Sequence, residues 1–440
     1  EPVIFRMNTA TGDWAAYPLR RDHVRYDESG NPIREGEIRS GTASWSRQML
    51  NELERSVTPP GDSDLWKKQH TPLPQAERDW RKIHKFPGEV TSSAWGDLNN
   101  DGREDLVLGG KDGTVQAIDA MGNVLWSFPA IGRVNEVTVQ QLGDEPTVFI
   151  ATEAFYVYAL DVRGGEKWSY KLPDSSTHRE VKGNLIGATN VRVAHVNGMD
   201  QEPWVMVGTQ FRYIYGFDRN GNLQYSDLLY YYGIEDAAFA DFDGDGKEEG
   251  AYALEYFYYF FWDETKLTRS SSAGGPGYKK AVALEGWNGG TKPAILFGTK
   301  QSEVRLIEHA GSLQERWVRN VGGEVNDIKH GDFNGDGSNE ILVGTDGFQL
   351  YALNEDGSVR FRASLGDRVL QVSGIRSDWD ERPGAYMAAA DNGKLFILDE
   401  QGDIVKEWGF DRKMAGIFAG GENGALWTVL ENGDVFLYKE

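Results

Sequence analysis

Three stretches of the chain repeat one acidic pattern: DLNNDGRED from Asp97, DFDGDGKEE from Asp241 and DFNGDGSNE from Asp332. Each places a carboxylate or amide at positions 1, 3 and 5, a glycine at 6 and an acid at 9. Alternate side chains of such a loop turn inward onto one hard cation, and position 7 contributes only its backbone carbonyl. The ligand sets would be Asp97, Asn99, Asp101, Arg103 and Asp105; then Asp241, Asp243, Asp245, Lys247 and Glu249; then Asp332, Asn334, Asp336, Ser338 and Glu340. Three copies of one order, each between apolar strand-like runs, are not expected of ordinary solvated turns.

The loops also set the architecture. The second and third start 91 residues apart, and the first and second 144. A unit of about 45 to 48 residues fits both spacings, and periods of this size signal propellers and other repeat arrays. Short runs rich in Val, Ile, Tyr, Phe and Trp, broken by DG, NG and GG turns, fill the period with strand and hairpin chemistry and exclude a helical repeat. A second marker closes each unit, a turn followed by an aromatic strand: GNVLWSF at 122, GGEKWSY at 164, GNLQYSD at 221, GSLQERW at 311, GSVRFRA at 357 and GDIVKEW at 402. Seven complete units start near Glu89, Val134, Ala188, Ile234, Lys279, Gly323 and Asp367. The stretch from Arg412 holds only three strands. ERDWRKIHKFPGEV, before the first unit, parallels NVLWSFPAIGRVNEV at that unit's end, so residues 77–86 are predicted to supply the missing outer strand and close the ring, which removes exposed edges. The fold class is all-β, an eight-bladed β-propeller over residues 77–440. Seven blades is the alternative, with 279–321 as an insertion.

The acidic loops with their flanks (WGDLNNDGREDLVLGG, FADFDGDGKEEGAYAL, HGDFNGDGSNEILVGT) resemble FG-GAP or VCBS-type repeats. The turn-aromatic strands resemble the blades of PQQ-type propellers. Similar repeats occur in integrin α-chains, bacterial surface proteins, assembly scaffolds and rhamnogalacturonan lyases. The resemblance implies the fold and three structural Ca²⁺ sites, whereas function depends on the site and not the fold. Five units depart from the loop pattern (QQLGDEP, AHVNGMDQEPW, EGWNGGTKP, RSDWDERP, AGGENG) and should close the same turn without metal. His195 then reads as a turn residue, and no quinone site is assigned.

With no cysteine among 440 residues, disulfides play no part. The chain begins at Glu1 without an apolar leader, as would a mature secreted chain or a piece cut from a longer one. A secreted, periplasmic or cell-surface location is the expectation. No apolar run approaches the roughly 20 residues that span a bilayer; the aromatic run at 255–262 reads as paired strands of the fourth blade. The net charge of −22 argues against nucleic acid and anionic membranes as partners. Residues 1–76 differ in character. They read as one or two hairpins with an ESGNP turn, then an amphipathic helix over 44–57, forming a wrap packed on the propeller or a docking arm.

In a propeller the turns between first and second strands share one face, which here carries the acidic loops. Ligands usually sit at the opposite mouth. There the link PDSSTHREVKGNLIGATN supplies His178, Arg179, Lys182 and Asn184. Gln210, Arg212 and Tyr213 follow, then Tyr230, Tyr231 and Tyr232, with Glu153 and Tyr156 alongside. Polar groups beside aromatic platforms suit a sugar ring. One reading is β-elimination on a uronate-containing polysaccharide, with His178 or a tyrosine of 230–232 as base and Arg212, Arg179 or Asn184 neutralising the carboxylate. A non-catalytic glycan-binding or adhesion module and a scaffold for protein partners are the alternatives.

Overall fold

The computed structural model describes residues 76–143, 145–173, 187–228, 233–256, 259–263, 266–269, 277–375, 385–420 and 425–438, together with four short strands near the amino terminus. The chain divides into two units, Glu1–Leu73 and Pro74–Glu440. In the first, Val3–Met7 pairs antiparallel with Trp14–Pro18, and Arg25–Tyr26 with Pro32–Ile33. The helix expected over 44–57 lies outside the described residues.

The second unit is an eight-bladed β-propeller. Among the described residues it forms eight four-stranded antiparallel sheets. The first strands of blades 1 to 8 are Val90–Gly96, Val134–Leu142, Ala188–Ala194, Ile234–Ala240, Tyr278–Leu284, Val325–Gly331, Val369–Ile375 and Met414–Gly420. The weakest unit in the sequence is thus a full blade, from Tyr278 to Asn320. Of the aromatic run at 255–262, the strand takes only Tyr259 onward. Blade 8 is composite: Met414–Gly420, Ala425–Leu430 and Asp434–Tyr438 are completed by Trp80–Lys85, with Tyr438 opposite Trp80 and Asp434 opposite Lys85. Lys82 and Lys85 both pair with Asp434 across this junction, at 2.5 and 3.0 Å.

Burial explains the strand compositions. A second strand is covered by blades on both sides, so Asp105–Gly110, Ala294–Thr299 and Glu340–Thr345 are buried throughout and read as continuous apolar runs. A fourth strand lies at the rim and alternates, as Val124–Pro129 does. The core is divided into eight clusters, one between each pair of neighbouring blades.

The turn-aromatic marker proves to be a joint between blades. Trp126 Nε1 donates to Val162 O at 2.9 Å, Trp168 to Arg219 O at 3.0 Å and Trp317 to Glu355 O at 2.9 Å. Each tryptophan leans on the glycine of the next blade's outer turn: a Cβ on Gly164 would lie 2.7 Å from Trp126, and one on Gly221 2.6 Å from Trp168. At the closing junction Trp408 donates to Asp79 Oδ2 at 2.8 Å, and His84 takes the tryptophan's place against Gly122 O at 3.1 Å.

Candidate functional site

Eight first strands line a central channel of about 710 Å³. Each is an edge strand, so its outward N–H and C=O groups need partners. Each also carries a register shift between its first and third residues. Polar side chains just after that shift reach the next blade. Ser92 Oγ accepts the N–H of Val137 at 3.0 Å and Glu136 Oε2 that of Val191 at 2.6 Å. Asp236 Oδ2 accepts from Ala281 at 3.3 Å and Asp327 Oδ2 from Val372 at 3.1 Å. Arg192 joins three blades, donating to Glu136 Oε1 and Asp236 Oδ1 at 2.8 Å each and to Ala237 O at 3.0 Å. Burial raises the Glu136 pKa although Arg192 opposes it. Burial works against the charge of Lys280, yet Asp236 and Asp327 hold its pKa above the ordinary lysine value. The channel's described acids are therefore stitches between blades.

Sequence reading missed these residues. Their signal is present, because aligning units on the first strand puts Ser92, Glu136, Asn190, Asp236, Lys280, Asp327 and Gln371 in one column.

Among the described residues, none of those expected at the mouth lines the channel, but two neighbouring turns between second and third strands carry five of them: Glu153 and Tyr156 in blade 2, and Gln210, Arg212 and Tyr213 in blade 3. The turns touch through Phe155 and Phe211, whose rings are 5.1 Å apart. Tyr156 stacks on Tyr158 and Tyr213 on Tyr215, both at 5.8 Å. Thr152 and Thr209 fix the two tyrosines identically: Thr209 Oγ1 accepts the Tyr213 N–H at 2.9 Å and donates to its carbonyl at 2.8 Å. Arg212 stands in the left-handed region at φ 85. His178, Arg179, Lys182, Asn184, Tyr230, Tyr231 and Tyr232 lie outside the described residues.

On the other face each acidic loop joins a first strand to a second, and its first aspartate folds back onto the loop's own backbone. Asp97, Asp241 and Asp332 each accept the N–H of the position-6 glycine, at 2.9, 3.0 and 2.9 Å. In the second loop one carboxylate oxygen from each of Asp241, Asp243, Asp245 and Glu249 lies within 4.8 Å of the others. No lysine or arginine is paired with any of the four among the described residues. Lys292 of the next blade donates only to the Asp243 carbonyl. Glu249 is buried, and Oε2 alone accepts N–H groups, from Phe242 and Asp243. Burial and the Asp243 charge push its pKa to about 8. Burial, with Asp101 and Asp97 adding, pushes Asp105 to about 6. In the second loop, where Lys292 meets a carbonyl and no carboxylate, the four converging carboxylates fit a hard divalent ion.

No protein-family model matches the chain, and no curated protein does. Solved structures share the fold. The Saccharomyces cerevisiae Sqt1 structure aligns at TM-score 0.65 and 10% identity, over 82% of this chain and 99% of that one. The computationally designed Ika8 protein aligns at 0.58 and 13%, over 82% and 100%. A chain of the BBS1N structure in complex with ARL6DN aligns at 0.52 and 12%, over 82% and 97%.

Proposed function

We propose that this chain is a non-enzymatic recognition propeller that holds a protein partner on its mouth face, with Ca²⁺ pinning the acidic loops opposite. The observation that carries the reading is the state of the channel: Glu136, Asp236 and Asp327 accept backbone N–H groups of neighbouring blades, and Arg192 bridges the first two. Groups committed to holding the ring are poorly placed to move protons on a substrate. The likeness to BBS1N, crystallised with a second protein, supports a protein partner. Extracellular calcium modules work with weak sites, which suits a secreted, periplasmic or cell-surface chain.

A glycan is the second reading, favoured by Tyr156 and Tyr213, half-buried rings at equivalent positions on adjacent blades. Its catalytic form, uronate β-elimination, makes unsaturated ends that absorb in the ultraviolet. Incubation with acidic polysaccharides, a glycan array, and photo-crosslinking from position 153 separate the three. A rise in absorbance overturns the non-enzymatic reading, and array binding without a crosslinked protein replaces the partner with a glycan. A discrete protein adduct from position 153, absent from rim position 124, supports the proposal. Calcium has its own check. A ligand at a hundred times its Kd stabilises the fold by about 2.7 kcal/mol, so chelation should lower the Tm by several degrees. An unchanged melting curve argues against structural Ca²⁺.

A further inference from the structure

Though alike in sequence, the three acidic loops differ in what reaches their last ligand. In blade 6 the outer pair is Leu353 opposite Val359 and Ala352 opposite Phe361, which leaves Arg360 as a bulged residue. From there the guanidinium donates to Glu340 Oε1 at 2.5 Å and stands 3.6 Å from Asp336 Oδ2. Glu340 is fully buried, and its other oxygen accepts the Phe333 N–H at 3.0 Å. Asp336 Oδ2 also accepts from Asn334 Nδ2 at 2.9 Å. The carboxylates that would face a metal ion already face a cation belonging to the chain.

Three other blades give this bulge a meaning. Blade 2 lacks the acidic loop, and its bulged residue is Lys167. Lys167 Nζ donates to Thr147 Oγ1 at 3.1 Å and to Glu145 Oε2 at 3.3 Å. Thr147 occupies the register of Glu340: it precedes Val148, the partner of Leu160, as Glu340 precedes Ile341, the partner of Leu353. So in a blade without the motif a basic bulge residue reaches the same point. In blade 1, whose loop is intact, the bulged residue is Leu125, which carries no charge. In blade 4 the outer strands pair Trp262 with Leu267 without a shift; among the described residues no base pairs with the four gathered carboxylates, and Lys292 of the next blade reaches only the Asp243 carbonyl.

We propose that Arg360 closes the third acidic loop in place of a divalent cation, so that the chain takes two such ions and not three. The proposal rests on the calcium reading above. A dication between Glu340 and Asp336 would have to displace the guanidinium or sit against its like charge. The outer-strand bulge then decides whether a loop with the motif binds metal.

The test counts Ca²⁺ on the full chain, stripped by chelator and reloaded, by native mass spectrometry and equilibrium dialysis. Two ions are expected on the wild type. Arg360→Leu should raise the count to three, and Leu125→Arg should lower it to one. With the chelator still present, Arg360→Leu should melt below the wild type, and Ca²⁺ should restore it. Three ions of like affinity on the wild type leave calcium standing and overturn the arginine assignment alone, as does a folded Arg360→Leu variant that stays at two. A wild type that binds none sinks the calcium reading and this contrast with it.

Discussion

One backbone position recurs at the turn between second and third strands. Its φ is positive in every blade where the turn is described: Gly113 (92), Phe155 (68), Arg212 (85), Ser302 (72), Phe348 (65), Gly393 (81) and Gly433 (92). A side chain there costs roughly 1–2 kcal/mol, which glycine avoids. Ser302→Gly should therefore raise stability by about 1 kcal/mol. Gly113→Ala should lower it by more, because its Cβ would lie 2.3 Å from Ala130 O. Urea midpoints at constant m-value read both. The sequence displayed this position only where it is glycine, since Phe155 and Arg212 leave no mark in the residue order. Glu249 gives a second prediction at this scale. Its folded pKa, about 8, lies above the ordinary 4.5. The protonated form favours the fold, so its contribution is present below pH 4.5 and is lost as pH rises through about 8. In chelator the Tm should fall across that window, and Glu249→Gln should flatten the profile. Calcium affinity should rise across the same range, because binding expels the proton.

At the scale of elements, the outer strand does more than complete a blade. Where it carries a tryptophan, that ring pegs it to the next blade, and in blades 2 and 6 its bulged residue reaches back to the start of the blade's own second strand. Closure depends on one such strand, supplied from far away in sequence. Trp80 is buried and packs edge-on against Trp408 at 5.5 Å and Tyr438 at 5.3 Å. Trp80→Ala should cost about 3–5 kcal/mol, and limited proteolysis should then cut within 76–88 before any other blade. Uniform cleavage across blades would speak against a weak seam. This strand was legible because ERDWRKIHKFPGEV parallels NVLWSFPAIGRVNEV, although its register was not: Val435 pairs with His84 as Val115 pairs with Phe128. The pegs were half legible: the aromatic and the turn glycine were visible as a marker, but that they meet across two different blades was not. The bulge was invisible, because Arg360 and Leu125 differ from surface residues only through a register shift that pairing creates.

For the whole molecule, stability rests on eight junctions in series, and the channel bonds are part of each. Arg192→Met would strand Glu136 and Asp236 inside the ring, an expected loss of about 3–5 kcal/mol. Adding Glu136→Gln and Asp236→Asn should recover much of it, and thermal melts of the single and triple variants measure the coupling. A triple variant that loses as much as Arg192→Met alone would mean that stranded carboxylates are not what the single variant costs. The sequence by itself determined the strand class, the blade count, the closing segment and the order of the acidic loops. All of these follow from local chemistry repeated at a fixed period: alternation, turn residues and side chains within one short loop. Tertiary structure alone decided which charges are stitches, which loop carries its own cation and which mouth residues meet. Those depend on groups 20 or more residues apart arriving at one point, as Arg360 does with Glu340 and Arg192 with Glu136 and Ala237. A repeat period states how often neighbours recur, but only the closed ring fixes which atoms of one blade face the next.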